Sequence, residues 1–222
     1  MDQREGALHM DENKEKRFVL TLTRTCGSGA TIIGQMLAEE YGIGFYDKKI
    51  LRMASDDSGI SEELFAGADE TMKRSLLYNV TKKIYNGEVI PPESPDYTKN
   101  DNLFAFQAKI LKELAERESF VCIGRAADFV LKDYPNVVSI FVYAPFEKCV
   151  QVEMERLSMS RKEAEKHITD MDKYRRAYYR YHTGKEWQDP YNYDLCLNTG
   201  ELSYRQCVEI VVDYLRVKFG IL

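Results

Sequence analysis

The sequence predicts a three-layer α/β fold on a mainly parallel five-stranded sheet, and three observations carry that prediction. Short apolar runs recur at Phe18–Thr23, Gly42–Tyr46, Ser119–Gly124, Val137–Ala144 and Tyr193–Leu197. Segments with apolar residues at helical spacing separate them. The runs at 119–124 and 137–144 are almost continuously apolar instead of alternating, as strands covered on both faces of a parallel sheet are.

The elements follow in order. Phe18-Val-Leu-Thr-Leu-Thr23 is β-rich and gives way, through a Gly-containing loop, to the helical pattern Ile32, Ile33, Met36, Leu37. The second strand at 42–46 is followed by helical segments at Lys49–Met53, from Ser61, and at Ala68–Tyr85; Ser61-Glu-Glu-Leu is a helix-start pattern. Ile90–Asp96 holds three prolines and reads as a loop tip. Helices at Leu103–Arg117, Phe146–Met159 and Arg161 to about Tyr181 alternate with the later strands, and Ser203–Val217 closes the domain.

Composition narrows the function classes. The 222 residues are 44% hydrophobic and 30% charged with only 6 prolines, a globular profile that excludes fibres and disorder. The longest apolar stretch, Val137–Ala144, is far shorter than the roughly 20 residues a membrane helix needs. Residues 1–17 are polar, lack a secretory pattern and read as a disordered lead-in to a single domain at 18–222. Five cysteines without C-x-x-C spacing predict free thiols, a cytoplasmic location and no structural zinc. A net charge of −5 argues against nucleic-acid partners, yet residues 161–185 hold eight Lys/Arg against four acids and suit a small anion.

The loop after the first strand carries the chemistry. Ligands of such sheets bind beyond the carboxyl ends of the strands. Against the phosphate-loop pattern G-x-x-x-x-G-K-[ST], the register is Arg24, Thr25, Cys26, Gly27, Ser28, Gly29, Ala30, Thr31. The second Gly and the hydroxyl residue match; the first Gly is Arg24 and the Lys is Ala30. Gly27 and Gly29 let successive N–H groups cradle a phosphate at a helix N-terminus, and Thr31 keeps the hydroxyl that reaches Mg²⁺. The ammonium is missing, so Arg24 or the basic segment has to replace it. The alternative is a plain β-to-α turn.

Taken together, Leu22-Thr-Arg24 with Gly27-Ser-Gly29, Gly44-Phe-Tyr-Asp-Lys48, Cys122-Ile-Gly-Arg-Ala-Ala-Asp128 and Tyr193-Asp-Leu-Cys-Leu-Asn-Thr199 resemble the cytidylate kinase-like family of P-loop nucleoside monophosphate kinases. Asp172-Lys-Tyr-Arg-Arg-Ala-Tyr-Tyr179 with Thr183, Gly184 and Trp187 resembles its lid. The resemblance implies a P-loop fold with a helical acceptor-binding insert at about 55–100 and a helical lid at about 156–187. It implies nucleotide substrates, ATP with Mg²⁺ as phosphoryl donor, and CMP or dCMP as acceptor. The family also commonly lacks the loop Lys, but Ala30-Thr31 departs from its usual Gly-Arg.

The resemblance assigns Arg24, Arg125, Arg175, Arg176 and Arg180 as the charge-neutralising groups, Cys26 to Thr31 as the phosphate loop, and Asp47, Arg52, Arg125 and Asp128 as the acceptor side. Blander readings stand beside these. Arg125 could pair with Asp128 at a helix start, Asp47 could be an N-cap, and Asp172 with Arg176 is an ordinary i,i+4 pair. Arg156 and Arg161 flank the lid. The tyrosines at 174, 178, 179 and 181 read mainly as packing, and His167 and His182 as surface residues without a metal-site pattern. A catalytically silent nucleotide-binding module, or a kinase for another small acceptor, is the rival function.

Overall fold

Five parallel strands form one sheet: β1 (Val19–Arg24), β2 (Gly44–Tyr46), β3 (Phe120–Ile123), β4 (Val137–Tyr143) and β5 (Leu195–Asn198). This computed structural model describes residues 17–67, 87–92 and 94–220. The strand order β2-β3-β1-β4-β5 puts β1 at the centre, and every pairing is parallel. The chain therefore returns across a sheet face between strands, with helices making those crossovers.

The helices are α1 (Ala30–Tyr41), α2 (Lys49–Ser58), α3 (Asn100–Arg117), α4 (Ala127–Val130), α5 (Phe146–Leu157), α6 (Arg161–Thr183) and α7 (Tyr204–Phe219), with a helical stretch at 62–67. Ser160 and Ser203 start α6 and α7 with capping boxes, their side chains reciprocating with Glu163 and Gln206. α4 is four residues long, too short to register as periodicity. The expected lead-in at 1–17 lies outside the described residues except for Arg17, as does the expected helix at 68–85; the 55–100 segment is described in part.

Alternation along the strands divides the core between the two sheet faces. Leu20, Leu22, Val121, Ile123, Val138 and Ile140 meet Ile33 and Leu37 of α1 and Val208, Val211 and Leu215 of α7. Val19, Phe120, Cys122 and Phe141 face the other way, onto Ile50 and Leu51 of α2, Phe104 and Leu111 of α3, and Ala127 and Val130 of α4. A third, smaller cluster joins Cys26 of the first loop to Cys149 and Val150 of α5 and Ala164 and Ile168 of α6. These contacts seat the α5–α6 hairpin against the loop after β1. Among the described residues no helix is long and apolar enough to cross a membrane.

Candidate active site

β1 lies between β3 and β4, so the loops after β1 and β3 open at the sheet's topological switch point. After β1 the chain turns through Gly27 and Gly29, with φ of 79° and 80°. A side chain at Gly29 is barred twice: the left-handed backbone disfavours it, and its Cβ would collide with the Tyr204 ring. Thr25 N–H anchors the loop to Val142 O at 3.1 Å, and Thr199 Oγ1 donates to Ser28 O at 2.9 Å. Ser28 is buried, its hydroxyl donating to Thr25 O at 2.9 Å, so it shapes the loop from within. The amides of Gly27, Gly29, Ala30 and Thr31 make no intramolecular hydrogen bond among the described residues. Unpaired amides at a helix N-terminus are the arrangement that suits an anion.

After β3 the chain passes through three consecutive left-handed residues, Gly124 (φ 73°), Arg125 (φ 61°) and Ala126 (φ 49°). The two that are not glycine each cost about 1–2 kcal/mol, strain that the packing of β3, α3 and α4 sustains at the mouth of the site. Gly124 makes room for Arg24: a Cβ there would strike the guanidinium. Arg125 Nη1 donates to Gln107 Oε1 of α3 at 3.4 Å.

Arg24, Arg125 and Arg175 line one cavity of about 440 Å³ with Thr31 and Asp47, a size within the ~300–1,000 Å³ range of small-ligand sites. Arg24 is set deep beneath the cavity. Burial, with Arg175 and Arg125 close by, pushes its pKa down to about 9. No carboxylate pairs with it among the described residues, and it remains a cation at neutral pH. Three guanidinium groups share this cavity, with the Asp172 carboxylate on Arg175, and like charges drawn this close favour an anion between them.

Each expected residue has a definite place. Thr31 is exposed on the cavity wall, and Asp47 lies there too, its carboxylate accepting from Lys48 N–H. Lys48, not Asp47, takes the N-cap position of α2. Of Arg175, Arg176 and Arg180 on α6, Arg175 reaches the cavity; Arg176 donates to Gln188 at 2.9 Å and Arg180 pairs with Glu186 at 3.0 Å, both at the surface. Arg52 is exposed and does not line the cavity. Arg156 and Arg161 pair with Glu153 and with Glu147 and Glu165.

Asp128 is buried behind the cavity wall. It accepts from Tyr179 OH at 2.6 Å and Thr23 Oγ1 at 3.5 Å, and Tyr193 OH, beside Tyr179, donates to Trp187 O at 2.6 Å. Burial pushes the Asp128 carboxyl up to about 6, against the lowering by Tyr179 and nearby backbone N–H groups, and raises the phenols of Tyr179 and Tyr193. This network ties α6 to β1 and α4.

Two readings need correction. Asp172 does not pair with Arg176: it pairs with Arg175 at 3.0 Å, three residues on, and its Oδ1 accepts the Cys26 N–H at 2.8 Å. His182 is not on the surface but buried, stacked on Phe104 with ring centroids 3.9 Å apart, and burial lowers its pKa to about 3. Tyr179 and Tyr181 are held by Asp128 and Asp101, and Tyr174, Tyr178 and Tyr179 line the cavity. Lys48 and Gln107 escaped sequence reasoning, although Lys48 stands in the quoted Tyr-Asp-Lys stretch.

Cys26 Sγ, a Glu153 carboxylate oxygen and a His167 ring nitrogen lie within 4.8 Å of one another. Arg156 already occupies Glu153 at 2.5 Å and Arg175 hydrogen-bonds the Cys26 thiol, so two cations stand where a divalent ion would need negative charge. All five cysteines are free thiols, and burial pushes Cys26 up to about 11.

The family model of the cytidylate kinase-like family matches residues 19–201. An uncharacterized protein from Eubacterium ventriosum ATCC 27560 has a similar structure, with a TM-score of 0.66 and 24% identity over 90% of this chain and 98% of that one. A sugar kinase from Janibacter sp. HTCC2649 gives a TM-score of 0.52 and 17% identity over 90% and 95%. These likenesses establish the fold alone. No curated protein matches the chain.

Proposed function

Since the chain belongs to the cytidylate kinase-like family, we propose that it transfers the γ-phosphoryl group of ATP to a pyrimidine nucleoside monophosphate, CMP or dCMP. One observation carries the reading: Arg24 and Thr31, at the two ends of the loop, line one cavity with Arg125 and Arg175, and the amides of Gly27, Gly29, Ala30 and Thr31 make no intramolecular hydrogen bond among the described residues. Phosphoryl transfer asks little covalent chemistry of the protein, only alignment, charge neutralisation and exclusion of water.

The amides of Gly27, Gly29, Ala30 and Thr31 hold the donor phosphates. Arg24 stands at the first position of the loop and replaces the absent lysine from below, as a fixed cation that needs no reorganisation during transfer. Arg125, aimed by its strained backbone, binds the acceptor phosphate, and Arg175 brings positive charge from α6 as the α5–α6 hairpin closes as a lid. Asp47 and Lys48 border the acceptor, and the segment at about 55–100 forms the rest of its site. Asp128 positions the lid through Tyr179. Arg176, Arg180 and Arg52 contribute field at the rim.

Mg²⁺ takes hard oxygen ligands, and the residues present fit it. The Thr31 hydroxyl, exposed on the cavity wall and without a hydrogen bond among the described residues, would hold it together with phosphate oxygens of the nucleotide. When bound, Mg²⁺ neutralises charge developing between the β- and γ-phosphates.

Arg125→Ala tests the assignment. Acceptor-dependent turnover is expected to fall at least 100-fold with ATP affinity kept; unchanged kinetics would remove Arg125 from the acceptor site. Ala30 favours a second reading, a silent nucleotide-binding module, because it is buried where a kinase loop presents its lysine. ATP binding without transfer to any acceptor would select it.

A further inference from the structure

One amide of the phosphate loop is taken by a carboxylate. Cys26 N–H, immediately before Gly27, is held by Asp172 Oδ1 at 2.8 Å across 146 residues of sequence. The same oxygen receives Arg175 Nη1 at 3.0 Å, and both side chains are largely withdrawn from solvent, at 20% and 18% exposed. A carboxylate that accepts from a loop amide and neutralises a site arginine makes the two contacts a phosphate oxygen would make there.

We propose that Asp172 is a positioning residue that acts as a resting latch on the donor site, holding the Cys26 amide and Arg175 in place of a donor phosphate and yielding both when MgATP binds. The proposal rests on the donor-loop reading above. The surroundings fit a contact made to be exchanged. Arg175 lies near Arg24 and Arg125, so the Asp172 carboxylate on Arg175 offsets part of the positive charge of this cluster. Desolvation is the largest influence on Asp172 and disfavours its charged form despite Arg175 and the Cys26 amide. A buried carboxylate in this condition is displaced more readily by a multiply charged phosphate than a well-solvated ion pair would be. The hydrophobic seat of α6 on the loop, Ala164 and Ile168 against Cys26, keeps the helix in reach while the polar contact changes partner.

The consequence runs opposite to that of a structural role. Removing the carboxylate removes a competitor, so Asp172→Asn should bind MgATP about tenfold more tightly, the equivalent of one charge-assisted hydrogen bond. ADP should gain less than ATP. Calorimetric titration of the full chain with MgATP, MgADP and inorganic triphosphate, for wild type, Asp172→Asn and Asp172→Ala, reads this directly, with melting curves confirming that the variants fold. Either variant suffices, since both delete the charge. Tighter ATP binding in a folded variant supports the latch. Unchanged or weaker ATP binding, beside a wild type that does bind, overturns it and leaves the donor-loop reading standing. A wild type and variants that bind none of the three ligands overturn both.

Discussion

Arg24→Met separates function from stability most sharply. Arg24 lies beneath the cavity with Arg125 and Arg175 as neighbours, and burial and repulsion depress its pKa from 12.5 to about 9. A drop of that size corresponds to at most ~5 kcal/mol at 1.36 kcal/mol per unit. Solvent reaching the guanidinium through the cavity reduces the recoverable part to roughly 1–3 kcal/mol. The sign is fixed: folding carries a charge it disfavours, so deleting the charge stabilises the empty protein. Met keeps an unbranched apolar stem and loses the guanidinium that lies against Gly124. For a chain of 222 residues, 1 kcal/mol moves the midpoint by about 2–4 °C, so Arg24→Met should melt roughly 3–10 °C higher without ligand. MgATP should raise the wild-type melting temperature in proportion to its binding and leave the variant's unchanged. Differential scanning fluorimetry with and without MgATP reads both numbers. A variant that melts lower than wild type, or that still responds to MgATP, would refute the argument that this cation is held for an anion.

Three further outcomes follow from the geometry. Asp128→Asn tests the buried network: the carboxyl is raised from 3.8 to about 6 in the folded protein, so its protonated form favours folding below about pH 4, and that contribution fades as pH rises through 6. Urea unfolding from pH 4 to 7 should show wild type losing ~1–3 kcal/mol relative to Asp128→Asn; parallel profiles would contradict it. Gly29→Ala should cost more than ~2 kcal/mol, from the left-handed backbone together with the collision at Tyr204, and abolish nucleotide binding; a variant that binds and melts normally would remove the tight-loop requirement. Arg176→Ala and Arg180→Ala should each change turnover by less than threefold, because both side chains are engaged at the surface; a hundredfold loss in either would show that α6 turns during the reaction.

The strands were legible in the sequence because buried parallel strands leave continuous apolar runs, and β1 to β5 fall within one or two residues of those runs. The loop was legible because Gly29 and the Thr31 hydroxyl keep the pattern's spacing behind the end of β1. Which face of α6 points inward was not. Helical spacing separates Arg175 from Arg176 and Arg180 but does not say which side meets the loop; that is decided by Ala164 and Ile168 packing on Cys26. His182 looked like a surface residue because its neighbour Phe104 comes from α3, nearly eighty positions away. The Asp172 contact with Cys26 has no sequence signature either, since a local i,i+4 rule offers Arg176 as partner and the fold supplies a loop amide instead. The run of left-handed residues at Arg125 and Ala126 is equally silent, because neither residue type advertises that backbone.

The most direct test of the central claim is product analysis: purified protein with MgATP and, separately, CMP, dCMP, UMP, AMP or no acceptor, with nucleotides resolved by chromatography. The account predicts ADP and CDP (or dCDP) formed in equal amounts with the cytidine acceptors, and release with CMP well above the acceptor-free rate. MgATP binding with no diphosphate formed from any acceptor would contradict it.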